Sequence, residues 1–141
     1  MGHEVASTEI ETTGVERREW LAALLVAAAT VVLLTVPYAL GYALSEPGTV
    51  FSGIIMNPED TQSYFAKMLQ GFEGHWLYTI PFTPEKHDPA FLGGFYIALG
   101  HFARWFGLTI EGIWHLARII AGLFLFMVTF GFIATFLEDR Q

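Results

Sequence analysis

From Trp20 to Leu44 the chain carries no charged side chain. That run of about 25 residues is long enough for a helix to cross a hydrocarbon core of roughly 30 Å with some tilt. Arg17 and Arg18 flank its N-terminal end, and basic residues there place that end in the cytoplasm. The run starts too late and extends too far for the apolar part of a cleavable signal peptide, so it reads as a span or a signal anchor. Pro37 and Gly41 lie in its outer half. A kink is expected there, with neighbouring groups satisfying the carbonyl that Pro37 leaves free.

Two more apolar stretches follow. Ala90 to Phe106, about 17 residues, lies near the lower limit for a span. It is rich in small residues (Gly93, Gly94, Ala98, Gly100, Ala103), which let membrane helices approach closely. Arg104 would mark its cytoplasmic end. The third runs from about Ile113 to Leu137, with Arg118 near its start and Glu138 to Gln141 as a polar end. The expected fold is therefore all-α and integral to the membrane, with three transmembrane helices at 20–44, 90–106 and 113–137. Three crossings would leave the C-terminus outside. The first 19 residues, with Glu4, Glu9, Glu11, Glu16 and Glu19, read as a polar, disordered cytoplasmic tail ahead of a membrane domain over 20–141.

Composition agrees: 53% of the 141 residues are hydrophobic and 15% charged, too apolar for an ordinary soluble domain. The absence of cysteine excludes disulfides, thiolate metal sites and thiol catalysis. A net charge of −7 argues against nucleic acid as a partner.

The outer loop, 45–89, is too long for a hairpin and should hold its own helix. Asn57-Pro58-Glu59-Asp60 has a cap residue, Pro at the first position and acids in the first turn. The helix is expected to run to about Leu69 and stop at Gly71. Tyr64, Phe65, Met68, Leu69 and Phe72 form an apolar stripe suited to a membrane surface. Trp76 to Asp88, amid Pro81, Pro84 and Pro89, reads as extended chain.

Few residues suggest chemistry. Glu59 and Asp60 could supply a general base, although acids in a first turn also serve the helix dipole. Asp60 shares a helix face with Tyr64 and Met68. Lys86-His87-Asp88 could hold a lipid phosphate or act as an interfacial anchor. His101 and His115 could ligate haem or a chlorophyll magnesium, but an interhelical hydrogen bond is the simpler reading. Arg118 needs an interface or a partner, for which Glu111 is available. No metal site is legible.

Taken in order, Asn57 to Ala66, then Glu85 to Phe91, then Phe106-Gly107-Leu108 and Arg118 to Gly122 resemble the N-terminal part of the GT-C superfamily of membrane glycosyltransferases, the group of protein O-mannosyltransferases and aminoarabinose transferases. Its first-loop pattern, an Asp followed four residues later by an aromatic, is matched by Asp60 and Tyr64. Glu59 before the Asp departs from the commoner Asp-Glu order, and only Pro89 stands where the family usually has two prolines. The resemblance implies a sugar donor on a polyprenyl phosphate, Asp60 as base with Glu59 as second candidate, Lys86 or His87 on the departing phosphate, and Tyr64 beside the substrate. Some members of the superfamily use a divalent ion and others do not.

Family members are several times longer and build the donor cavity from later helices. This chain is therefore expected to be inactive alone, as a segment of a longer enzyme or with a larger membrane partner. The expected location is the inner (plasma) membrane, with the first loop outside. The other reading is a small non-catalytic subunit of a larger respiratory or photosynthetic membrane complex.

Overall fold

The computed structural model describes residues 15–137 and is helical, with four helices and no strand among the described residues. These are α1 (Arg17–Ala43), α2 (Pro58–Glu73), α3 (Gly94–Phe106) and α4 (Ile110–Phe136). Residues 1–14 of the expected polar tail and the polar end at 138–141 lie outside the described residues.

Helices α1 and α4, each of 27 residues, are long and apolar enough to cross a membrane. Both start three residues before the expected span, because polar groups satisfy their first turns. The Glu19 carboxylate accepts the Glu16 N–H at 2.8 Å, and Thr109 Oγ1 accepts the Gly112 N–H at 3.0 Å. The two helices pack antiparallel. Trp20 meets Phe130, Val31 faces Gly122, and Tyr38 meets His115. Arg17 and Phe136 therefore lie at the same end of the pair. Only Ala27 and Val31 of α1 are buried, and only Ile113 and Ala134 of α4. Leucines, valines and phenylalanines around both helices stay exposed, as on a helix that lipid or another protein covers. Helix α1 continues through Pro37. Near it, Arg118 of α4 donates to the Leu34 carbonyl at 3.4 Å and to Thr35 Oγ1 at 3.2 Å.

The expected second span is not one. Helix α3 has 13 residues, about 20 Å at 1.5 Å per residue. That is well short of a core of roughly 30 Å. Gly93 caps it in the left-handed region, and the preceding chain is extended, with Ala90 paired to Tyr78 through N–H···O contacts of 2.9 and 3.0 Å. The small residues that suggested helix contact within lipid serve a different neighbour. A Cβ on Gly100 would collide with the Met68 carbonyl, and one on Gly71 with the Ile97 carbonyl. Thus α2 and α3 cross with their backbones touching. Arg104, expected at a cytoplasmic end, instead reaches Gly74 at the C-terminus of α2, where a cation complements the helix dipole.

Helix α2 outruns its expected end. Gly71 is a contact residue rather than a stop, and the left-handed cap is Gly74 at φ 107°. Asn57 occupies the N-cap position through left-handed backbone, φ 49°, without a capping side-chain bond. The core lies where α2, α3 and α4 meet: Met68, Leu99, Ala103 and Ile113, flanked by Phe65, Tyr96 and Trp114.

Candidate functional site

Asp60, Tyr64 and Lys67 follow one another at helical spacing along one face of α2. Asp60 and Glu59 are exposed, carry no hydrogen bond, and line a shallow depression of about 160 Å³ with Asn57 and Pro58. One turn on, the Tyr64 ring stacks on Tyr96 of α3, with centroids 4.5 Å apart, and lies 6.2 Å from the Trp114 ring of α4. Phe65 meets the edge of Trp114 at 5.6 Å. Stacked aromatics thus tie the face bearing Asp60 to both neighbouring helices.

Lys67 is half-buried, its ammonium 5.6 Å from the Tyr64 ring centre and 4.8 Å from that of Tyr78. Such placement favours a cation over ring faces. Burial pushes the Tyr78 phenol above its ordinary pKa. Burial, and then the charge of Tyr64, does the same for Tyr96. Both rings stay neutral at physiological pH. Gln70 clasps the loop to α2 by donating to the Thr79 carbonyl at 2.7 Å and accepting the Thr79 N–H at 2.9 Å.

Lys86 and His87 line a separate cavity of about 520 Å³ with Thr79, Ile80, Thr83, Glu85 and Asp88. Both ring nitrogens of His87 are engaged within the loop. Nε2 lies 2.9 Å from the Ile80 N–H, which can only donate, so Nδ1–H donates to the Glu85 carbonyl, also at 2.9 Å. His87 therefore staples the loop, and Lys86 makes no hydrogen bond or ion pair among the described residues. Tyr64 belongs with Asp60 on α2; Lys86 and His87 do not line the depression that Asp60 lines.

The remaining candidates separate. His101 is 5% exposed and stacks on Trp76 at 4.0 Å, a packing role in the α2–α3 unit. His115 reaches across to α1, with Nε2 3.4 Å from the Tyr42 hydroxyl. Arg118 also reaches to α1, its guanidinium 4.3 Å from the Tyr38 ring centre, rather than pairing with Glu111. Among the described residues no group of three or more His, Asp or Glu could hold a metal ion.

Sequence reasoning overlooked Lys67 and Gln70. The signal for Lys67 was present, seven residues after Asp60 on the same face; Gln70 is recognisable only once Thr79 is beside it.

Compared with models of known families, with curated proteins and with solved structures, the chain matches none.

Proposed function

We propose that the chain is a membrane-embedded module of a GT-C-like glycosyltransferase that uses a sugar on a polyprenyl phosphate. In this reading α1 and α4 cross the inner membrane, α2 and α3 lie at its outer surface, and Asp60 is the general base. Basic residues near the membrane ends favour that orientation: Arg17 and Arg18 on one side against Arg104 on the other. With two crossings the C-terminal end of α4 returns to the cytoplasm.

The observation that carries the reading is the placement of Asp60. It is a carboxylate with no partner among the described residues, on the face of α2 whose next turn is pinned by Tyr96 and Trp114. An acceptor hydroxyl settling there would meet a base on a rigid element, and loss of its proton would sharpen attack at the anomeric carbon. Lys86 remains the candidate for the departing phosphate, and Lys67 is a second cation, seven residues after Asp60 in α2.

The test is transfer of labelled sugar from a polyprenyl phosphate donor by membranes containing the chain with its native partners. Asp60→Asn should lower transfer by about 10²-fold or more, the usual worth of a positioned base. Glu59→Gln should change it only a few-fold. Full activity in the Asp60→Asn protein would rule Asp60 out.

The accessory-subunit reading draws on the long apolar faces of α1 and α4, which nothing in the described chain covers. A visible absorbance spectrum in the purified protein would favour it.

A further inference from the structure

Arg118 is the charged residue whose surroundings are least like those a charge requires. It lies eight residues into α4, roughly 12 Å along the helix from its loop end. Two cavities meet at it. One, of about 380 Å³, lies between α1, α4 and the Ile55–Met56 segment, with Val31, Leu34, Tyr38 and Phe126 on its walls. The other, of about 220 Å³, lies between α3 and α4 and is walled by Phe95, Tyr96, Leu99 and Trp114. Arg118 is the charged side chain lining either one.

Its own contacts are with neutral groups, among them the Tyr38 ring 4.3 Å from the guanidinium. The two terminal nitrogens reach neutral oxygens at 3.4 and 3.2 Å, long for charge-assisted bonds. The Nε–H is buried and has no hydrogen-bond partner among the described residues. Among the described residues no carboxylate pairs with the guanidinium. A cation on the flank of a membrane helix is retained where it pairs, and a guanidinium fork matches the oxygens of a phosphate. Apolar grooves beside such a cation suit hydrocarbon chains.

We propose that Arg118 and the two grooves bind one anionic phospholipid, with its phosphate on the guanidinium and acyl chains along the α1–α4 and α3–α4 grooves. The bound lipid would fill the space between the α2–α3 unit and the helix pair and supply a counter-charge that no described residue provides. This rests on the membrane placement proposed above but not on sugar transfer. Lipid retention needs neither donor nor acceptor, so a failed transfer assay leaves it standing. Extraction of membranes at alkaline pH tests the membrane placement separately.

The experiment is native mass spectrometry of the full chain released from nanodiscs of mixed phosphatidylglycerol and phosphatidylcholine. One phosphatidylglycerol should remain per chain, in preference to phosphatidylcholine, and added inorganic phosphate should not displace it. Arg118→Gln should weaken retention roughly tenfold, as expected for losing a charge-assisted contact, and Arg118→Lys should fall between. Because Arg118→Gln can disturb the fold, Met56→Trp gives a second reading: it fills the groove from an exposed position and should also expel the lipid. Equal retention of the two lipids by the wild-type chain, no retained lipid, or unchanged retention in a folded Arg118→Gln protein would overturn the proposal. Displacement by inorganic phosphate would do so as well, by showing an anion site without a lipid.

Discussion

Gly71 and Gly100 show how little room single positions leave in this chain. Each places its Cα against the other helix's main chain, where no Cβ fits and no flexible side chain can move aside. Gly100→Leu should separate α2 from α3 at a cost of about 3 kcal/mol, seen as a lowered thermal midpoint by circular dichroism. Gly107→Ala, in open space, should cost less although its φ is positive. Gln70 acts at longer range, standing in for a strand neighbour by pairing with both backbone groups of Thr79. Gln70→Leu should forfeit about 1–3 kcal/mol locally and speed amide hydrogen exchange over Trp76–Ala90 without lowering the global midpoint by as much. Asp60 and Tyr64 could be marked from their spacing. That His87 is used up as a staple could not, because its partner Ile80 is brought to it by a turn amid prolines that has no periodic pattern.

At the level of elements, hydrophobic periodicity serves well where a helix meets one kind of surroundings and poorly where it meets two. Helices α1 and α4 are apolar along most of their length, so the apolar runs locate them within three residues. Helix α2 is found through Asn57-Pro58 and its acids. Helix α3 misleads because an apolar, small-residue segment looks the same whether its glycines meet a helix in lipid or a surface helix such as α2. The discriminating residues are Pro89 and Gly93, which hold Ala90 in extended pairing with Tyr78 and leave 13 helical residues. This has a direct check: placed alone between two glycosylation acceptor sites, Gly94–Phe106 should fail to integrate as a span, whereas Trp20–Ala43 and Ile110–Phe136 should integrate.

At the scale of the whole molecule, two helix pairs are joined through the Met68, Leu99, Ala103 and Ile113 core and the aromatic cluster Tyr64, Tyr96 and Trp114 beside it. The chain has no native cysteine, so single cysteines can be introduced without background. Cysteines at positions 16 and 137 should react with an impermeant maleimide from the same face of the membrane, and one at position 86 from the opposite face. Opposite-side reactivity of positions 16 and 137 would restore a third crossing.

The antiparallel pairing of α1 and α4 also bears on biogenesis. In the proposed membrane placement, everything from Leu44 to Thr109, with Glu59, Asp60, Lys67, Glu73, Lys86 and Arg104 in it, is carried through the translocon between synthesis of the two halves of the seam. Until α4 emerges, α1 lacks its partner, and Leu34 and Thr35 have no Arg118 guanidinium beside them. The hairpin therefore closes late, so lipid present while it closes can become trapped between its helices.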